Sequence, residues 1–224
     1  MTTTMQKSII LVSSLLISLL AGCQGLHSGG DKTYIWNGSD FTGWKLYISP
    51  DKAVDVKDVW SVRNGLIYCK GKPNGYMRTE KEYSNYHLHL EWRWPDEPTN
   101  SGVLLHVQGK DQIWPMCIEN QLKTGNAGDF VLIHGTGIMI DGKFYENSPK
   151  KKFIGVKKKA PSSENPPGEW NHYDIYCKGD TVRSVVNGVE QNYGTKATVS
   201  SGSICLQSEG GPIEFRNIYI ETLD

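Results

Sequence analysis

His87-Leu88-His89-Leu90-Glu91-Trp92-Arg93-Trp94 alternates without a break between polar and apolar side chains. In an extended strand successive side chains point to opposite faces, so Leu88, Leu90, Trp92 and Trp94 share one face while His87, His89, Glu91 and Arg93 share the other. On a helix the same residues would be spread around the axis, leaving no apolar stripe to bury. Four large apolar groups on one side need a covering layer. After Tyr34 no stretch holds a 3.6-residue apolar period for three turns, so the cover is predicted to be a second sheet rather than a helix.

Outward from this segment, runs rich in Val, Ile, Tyr and Trp predict strands at 60–69, 83–94, 102–108, 113–122, 129–133, 137–140, 170–177, 181–186, 203–207 and 213–221. Asn64-Gly65, Asn74-Gly75 and Asp141-Gly142 supply residues that accept the positive φ of tight turns, and Asn187-Gly188, between Val186 and Val189, reads as a hairpin. The expected fold is all-β, an antiparallel β-sandwich. A strand, a Gly-rich loop and an amphipathic helix never follow in series, which excludes a dinucleotide-binding α/β unit. Residues 150–168 carry Lys150-Lys151-Lys152, Lys157-Lys158-Lys159, Pro161, Pro166 and Pro167, and are predicted to form a long loop with solvated lysines.

A chain of 224 residues has room for one sizeable domain. Its 24 Lys plus Arg against 24 Asp plus Glu leave no net field to offset phosphate charge, which excludes nucleic acid as a partner. At the N-terminus Lys7 precedes an apolar run from Ile9 to Leu20, shorter than the ~20 residues of a spanning helix. This is the pattern of an export signal. Leu20-Ala21-Gly22-Cys23 resembles a bacterial lipobox, which implies cleavage before Cys23 and acylation of its sulfur. The expected organisation is a lipoprotein signal peptide over 1–22, a lipid-anchored tether over 23–32 and a single β-sandwich domain over 33–224. Its expected place is the bacterial cell envelope, on the periplasmic or the outer side, with the membrane as a partner through Cys23. Cys69, Cys117, Cys177 and Cys205 lie in apolar, strand-like contexts without CxxC spacing. An oxidising compartment would permit two disulfides among them, and buried thiols are the other reading.

Two further segments carry candidate chemistry. In Cys117-Ile118-Glu119-Asn120-Gln121-Leu122-Lys123, alternation sends Ile118 and Leu122 one way and Glu119, Gln121 and Lys123 the other. In Asn100-Ser101-Gly102-Val103-Leu104-Leu105-His106-Val107-Gln108 it sends His106 and Gln108 to the side opposite Val103, Leu105 and Val107. If the two strands share a sheet, His106 stands beside Glu119, and Trp114 and Tyr76 offer flat surfaces of the kind that stack on sugar rings. Nucleophile elbows of the G-x-S-x-G type and H-E-x-x-H zinc helices are missing.

Ordered blocks of the chain resemble the 3-keto-disaccharide hydrolase family, whose fold is a jelly roll of the concanavalin A-like lectin and glucanase type. The blocks are Asn37-Gly38-Ser39-Asp40-Phe41-Thr42-Gly43-Trp44, Glu91-Trp92-Arg93, Asn100-Ser101-Gly102-Val103, Ile118-Glu119-Asn120-Gln121-Leu122, Gly125-Asn126-Ala127-Gly128-Asp129-Phe130, Gly168-Glu169-Trp170-Asn171 and the segment from Gly202 to Ile218. The resemblance implies a carbohydrate substrate, a glycoside already oxidised at sugar carbon 3, cleaved by 1,2-elimination and hydration. It implies Glu119 as the base or a metal ligand and His106 as its acid/base or ligand partner. Arg93, Asn100 and Gln121, with Trp114 and Glu91, would bind substrate. It fixes no cofactor. A divalent metal ion held by Glu119 and His106 is the one it leaves open. A non-catalytic carbohydrate-binding sandwich is the alternative. An ordinary two-carboxylate glycosidase fits less well: only Glu91 is in view as a partner for Glu119, and the E-x-D-x-x-E spacing of related glucanases is broken by Gln121 and Thr124.

Overall fold

The computed structural model describes residues 31–50, 53–148 and 150–224. The signal peptide, the acylation site at Cys23 and most of the tether lie outside the described residues. Among the described residues no helix is long and apolar enough to cross a membrane.

The first strands are β1 (Thr33–Tyr34), β2 (Trp44–Ile48), β3 (Trp60–Arg63), β4 (Leu66–Cys69), β5 (Gly75–Thr79) and β6 (Tyr86–Arg93). Then follow β7 (Gly102–Gln108), β8 (Met116–Gln121), β9 (Phe130–Ile133), β10 (Gly137–Ile140), β11 (Lys143–Glu146) and β12 (Phe153–Val156). The last are β13 (Asn171–Lys178), β14 (Thr181–Val186), β15 (Val189–Gly194), β16 (Ser203–Ser208) and β17 (Ile213–Thr222). One sheet has the order β15-β14-β13-β6-β17-β4-β3, with β1 added beside β17, and the facing sheet has the order β12-β9-β8-β7-β16-β5-β2. Strands β10 and β11 form a separate hairpin. All pairings among them are antiparallel, as the turn signals predict.

Between the two sheets lies the main core, with Leu88, Leu90 and Trp92 from β6 packed among Phe130, Tyr173, Phe215 and Ile118. The opening segment therefore buries the face its alternation assigns. Beside these apolar groups a polar link crosses the layers. Asn120 Oδ1 on β8 accepts from Tyr173 O–H on β13 at 3.2 Å and from Ser184 Oγ on β14. Because Ile118 and Asn120 point inward, Glu119 must point outward.

Three hairpins turn where the sequence predicts. Asn187 and Gly188 both have positive φ, 48° and 78°, and they join β14 to β15 at the Val186–Val189 pair. This is the backbone that a two-residue type I′ turn requires. Asn64-Gly65 does the same, so the single strand predicted over 60–69 is a hairpin, β3 with β4. Asp141-Gly142 closes the β10–β11 hairpin. Asn74-Gly75 differs: Gly75 opens β5, where a Cβ would collide with the Tyr47 backbone.

Strands β1, β2, β5, β11, β12 and β15 are absent from the predicted set. Each is two to six residues long, too short for an apolar period to stand out from its surroundings. β12 corrects the expected long loop at 150–168, because it forms the edge of the second sheet beside β9. The lysines following it are paired rather than merely solvated: Lys157 Nζ lies 2.9 Å from Asp129 Oδ2, and Lys159 Nζ 2.5 Å from Asp141 Oδ1. Lysines on an exposed edge also discourage pairing with another chain. Cys69, Cys117, Cys177 and Cys205 are all buried free thiols.

Candidate active-site groove

The second sheet turns a partly apolar outer face to its own cover. Tyr76, Leu104, Val107, Cys117, Val131, Ile133 and Cys205 cluster there, with Tyr47 and Trp114 packed against them. Into this surface opens a groove of about 210 Å³, lined by Asn100, Trp114, Glu119, Gln121, Phe153 and Glu209 among others. Glu119 lies at its floor, flanked across the ladder by Leu104 on β7 and Val131 on β9.

The Glu119 side chain is 3% exposed, and its Oε1 has no hydrogen-bond partner. Its carboxyl leans across the backbone of Gly102, where a Cβ would lie 2.8 Å from its Cγ and Cδ. The missing side chain at 102 is therefore the space that the carboxyl occupies. Burial, reinforced by the nearby charge of Glu209, pushes the Glu119 carboxyl up to about 8. Burial also raises Glu209, against the pull of Lys123. Asn100 bridges to Glu209 across the strand ends. Asn100 Oδ1 and Gln207 Oε1 are buried without partners, like Glu119 Oε1. The two of these that line the groove, Asn100 Oδ1 and Glu119 Oε1, suit a ligand rich in hydroxyl donors. Gln121 spends its Oε1 on the backbone N–H groups of Leu122 and Lys123, both at 2.9 Å. Trp114 and Phe153, 5.9 Å apart between ring centroids, form an aromatic wall.

Of the residues expected to act together, the structure thus brings Glu119, Asn100, Gln121 and Trp114 to one groove. His106 is not there. A β-bulge shifts the β7–β8 register between Leu105 and Gln108, and His106 sits in it with φ 54°. The extra residue reverses the alternation, so Val107 joins the outer cluster while His106 turns inward, ring to ring with Tyr86 at 5.6 Å. It is 1% exposed, its Nδ1 lies 3.2 Å from Val199 O, and burial holds it down to about 4, as a neutral imidazole. We expect His106→Asn, which tolerates the positive φ, to keep turnover within a few-fold of wild type. A loss as deep as that of a Glu119 variant in steady-state assays would put the histidine back into the chemistry.

Arg93 and Glu91 are also displaced from the groove. They belong to β6 in the other sheet and point to its outer face, so the whole sandwich separates them from Glu119. There Arg93 Nε donates to Glu214 Oε2 at 2.7 Å and its guanidinium covers Trp170, while Glu91 Oε2 accepts from Arg216 Nε at 2.6 Å. Alternation within one strand cannot tell which sheet that strand joins. Glu209 and Phe153 are among the groove-lining residues missing from the expected set. Counting by two from the outward Cys205 reaches Glu209, the period-2 signal that could have identified it.

Gly102→Ala should separate folding from function. The clashing atoms belong to a side chain rather than to backbone, so the sheet can form while the carboxyl is displaced. A misplacement near 1 Å can cost on the order of 10²-fold in rate. We expect an unchanged circular dichroism spectrum with a rate loss of about that size; full activity would show that the carboxyl's position is unimportant.

A two-sheet jelly roll with a carboxyl-bearing groove across one outer face defines the class: a carbohydrate-active protein of the concanavalin-like kind. The chain belongs to the family of 3-keto-alpha-glucoside-1,2-lyase-like domains, whose profile matches residues 31–221. A protein from Parabacteroides distasonis ATCC 8503, provisionally named a glycosyl hydrolase, is 25% identical, with a TM-score of 0.62 over 87% of this chain and 94% of that one. The fold is shared with a Bacillus licheniformis β-glucanase, at 12% identity and TM-score 0.55 over 88% and 100% of the two chains. It is shared too with a carbohydrate-binding module from Bacillus subtilis, at 11% identity and TM-score 0.56 over 82% and 98%. Among curated proteins none matches the sequence.

Proposed function

We propose that this protein cleaves 3-keto-glycosides by 1,2-elimination followed by hydration. The observation that carries the reading is the buried Glu119 carboxyl, held over Gly102 with one oxygen unpartnered and a proton affinity far above that of an ordinary glutamate. A ketone at C3 makes the C2 proton acidic by delocalising the resulting charge onto the carbonyl oxygen. Glu119 in its ionised form removes that proton; the enolate then re-forms the ketone as the C1–O bond breaks, leaving a C1–C2 double bond. Glu209, whose burial favours its protonated form, supplies a proton to the departing oxygen. Water added across the double bond, OH to C1 and H to C2, completes net hydrolysis. Asn100 and Gln121 orient the sugar hydroxyls, and the Trp114–Phe153 wall stacks on a ring face.

A divalent ion, if the reaction uses one to polarise the C3 oxygen, would have to be held by groove oxygens, since His106 faces the core. Glu119, Glu209 and Asn100 are hard donors of the kind that hold magnesium, calcium or manganese.

The pair Glu119 and Glu209 also supplies the two carboxyls of an ordinary glycosidase. The test is therefore comparative: 3-keto and unmodified glucosides are incubated with the protein, with and without chelator. Cleavage of the 3-keto compound alone supports the proposal. Turnover of the unmodified compound alone refutes it, and binding of glycans without turnover of either makes the domain a carbohydrate-binding module.

We further propose that the protein is held at the bacterial envelope by acylated Cys23. The lipobox-like residues before it and the start of the folded domain within ten residues after it support this. Cys23→Ser should move the protein from the membrane fraction to the soluble fraction. If the variant stays with the membrane, the anchor is something else.

A further inference from the structure

We propose a divalent transition-metal site on the outer face of the eight-stranded sheet, formed by His89, Glu91 and His172, across the sandwich from the groove and independent of its chemistry. One donor atom from each residue lies within 4.8 Å of the other two. A metal about 2.0–2.1 Å from nitrogen and 2.0–2.2 Å from oxygen fits among atoms so spaced. The register makes the set. His172 on β13 is paired with Glu91 on β6, and His89 projects from β6 to the same face, two residues before Glu91.

The donors are aimed as ligands. His89 Nδ1 lies 2.7 Å from Asp174 Oδ1, and its ring stacks on Tyr219 at 4.7 Å, which turns Nε2 toward Glu91, 4.0 Å from its Oε1. A carboxylate behind an imidazole fixes its tautomer and strengthens it as a donor. Glu91 is fixed in the same way from behind: Arg216 Nε holds Oε2 at 2.6 Å and leaves Oε1 turned toward the histidines. Asn217 stands at the same point because the β17 register shifts between Arg216 and Tyr219, giving it φ 51°. Its amide nitrogen is 2.9 Å from Glu91 Oε1 and 3.5 Å from His89 Nε2. Rotating that amide by half a turn brings its carbonyl oxygen to the same position, a fourth donor. The exposed His172 leaves the site open to solvent.

Two imidazoles with a carboxylate favour zinc, cobalt, nickel or copper over magnesium or calcium. The four cysteines of the domain are buried elsewhere as free thiols and do not compete. Bound metal would tie β6, β13 and, through Asn217, β17 together.

The test is isothermal titration of the chelator-treated full-length protein with Zn²⁺ and Ni²⁺, together with the visible spectrum of Co²⁺ bound to it. We expect one equivalent per chain with a dissociation constant in the micromolar range or below, and a melting temperature raised by Zn²⁺. His172→Ala, at an exposed position, and His89→Gln should each weaken binding by more than an order of magnitude. Glu119→Gln, in the groove, should leave it unchanged. Absence of saturable binding below about 100 µM, survival of the site in either histidine variant, or its loss in Glu119→Gln would overturn the proposal. Because none of these readouts uses turnover, they stand or fall apart from the reaction assigned to the groove.

Discussion

Glu119→Gln is expected to lower kcat/KM on a 3-keto-glucoside by about 10²- to 10⁴-fold, the range over which a positioned general base contributes. Glutamine keeps the shape and the burial but cannot take the C2 proton. The wild-type pH profile should carry the signature of the same group. Glu119 titrates near 8, so at neutral pH most molecules hold it protonated and inactive as a base. Ionisation of Glu119 should give the pH profile a rising limb and loss of the Glu209 proton a falling one, and the residual activity of the variant should lack the rising limb. A profile that only falls with pH, with no rising limb, would mean that the protonated carboxyl is the working form. Glu119 would then be the acid and Glu209 the better candidate for the base. Retention of full activity by Glu119→Gln would sink the proposed chemistry altogether.

The same substitution should change stability, and in the opposite sense. An unfolded glutamate titrates near 4.5 and the folded Glu119 near 8. Between those values the native state binds one more proton than the unfolded state, so the free energy of unfolding falls as pH rises across the window. The stability is fully present below 4.5 and its loss is complete once pH has passed about 8. At 1.36 kcal/mol per pKa unit the loss is on the order of 5 kcal/mol. Glu119→Gln has no such titration, so at pH 9 it should be more stable than wild type by roughly that amount, while near pH 5 the two should be close. Urea unfolding of both proteins at matched pH measures the difference. His106 has the reverse sign: its folded value near 4 lies below the ordinary 6.5, so it costs stability as pH falls through 6.5 toward 4. That contribution is common to both proteins and cancels in the comparison. Equal stability of the two at pH 9 would show that the Glu119 carboxylate is solvated. A protein that keeps an expensive carboxyl where glutamine would be more stable is trading stability for a reactive group.

Most of the strand pattern was legible because period-2 alternation, Asn-Gly and Asp-Gly turns and local apolar density are properties of neighbouring residues. β6 buried its predicted face for that reason, and Asn187-Gly188 turned where it should. The strands absent from the predicted set are short, β12 with only four residues and β15 with a largely polar sequence, and are held by what they pair with more than by what they contain. β15 shows this: Gln191 and Asn192 are fully buried, and amide hydrogen bonds to Pro161, Ser163, Gly128 and Lys157 replace apolar contacts.

The groove was legible only in part. Glu119 and Gln121 follow from alternation around Ile118 and Leu122, a rule that works as long as the strand is regular. His106 fails that rule by one residue, since a bulge in its ladder reverses every later side chain. Glu91 and Arg93 fail for a different reason.

The sequence by itself determined that this chain is an antiparallel β-protein with Glu119 on an outward strand face, because those facts depend on dihedral preference and on side chains two residues apart. Only the tertiary structure decided which strands share a sheet. It joined Glu119 with Glu209, placed His89, Glu91 and His172 on the opposite surface and turned His106 into the core. Strand order and bulges are set by contacts between residues distant along the chain, and local periodicity holds no record of them.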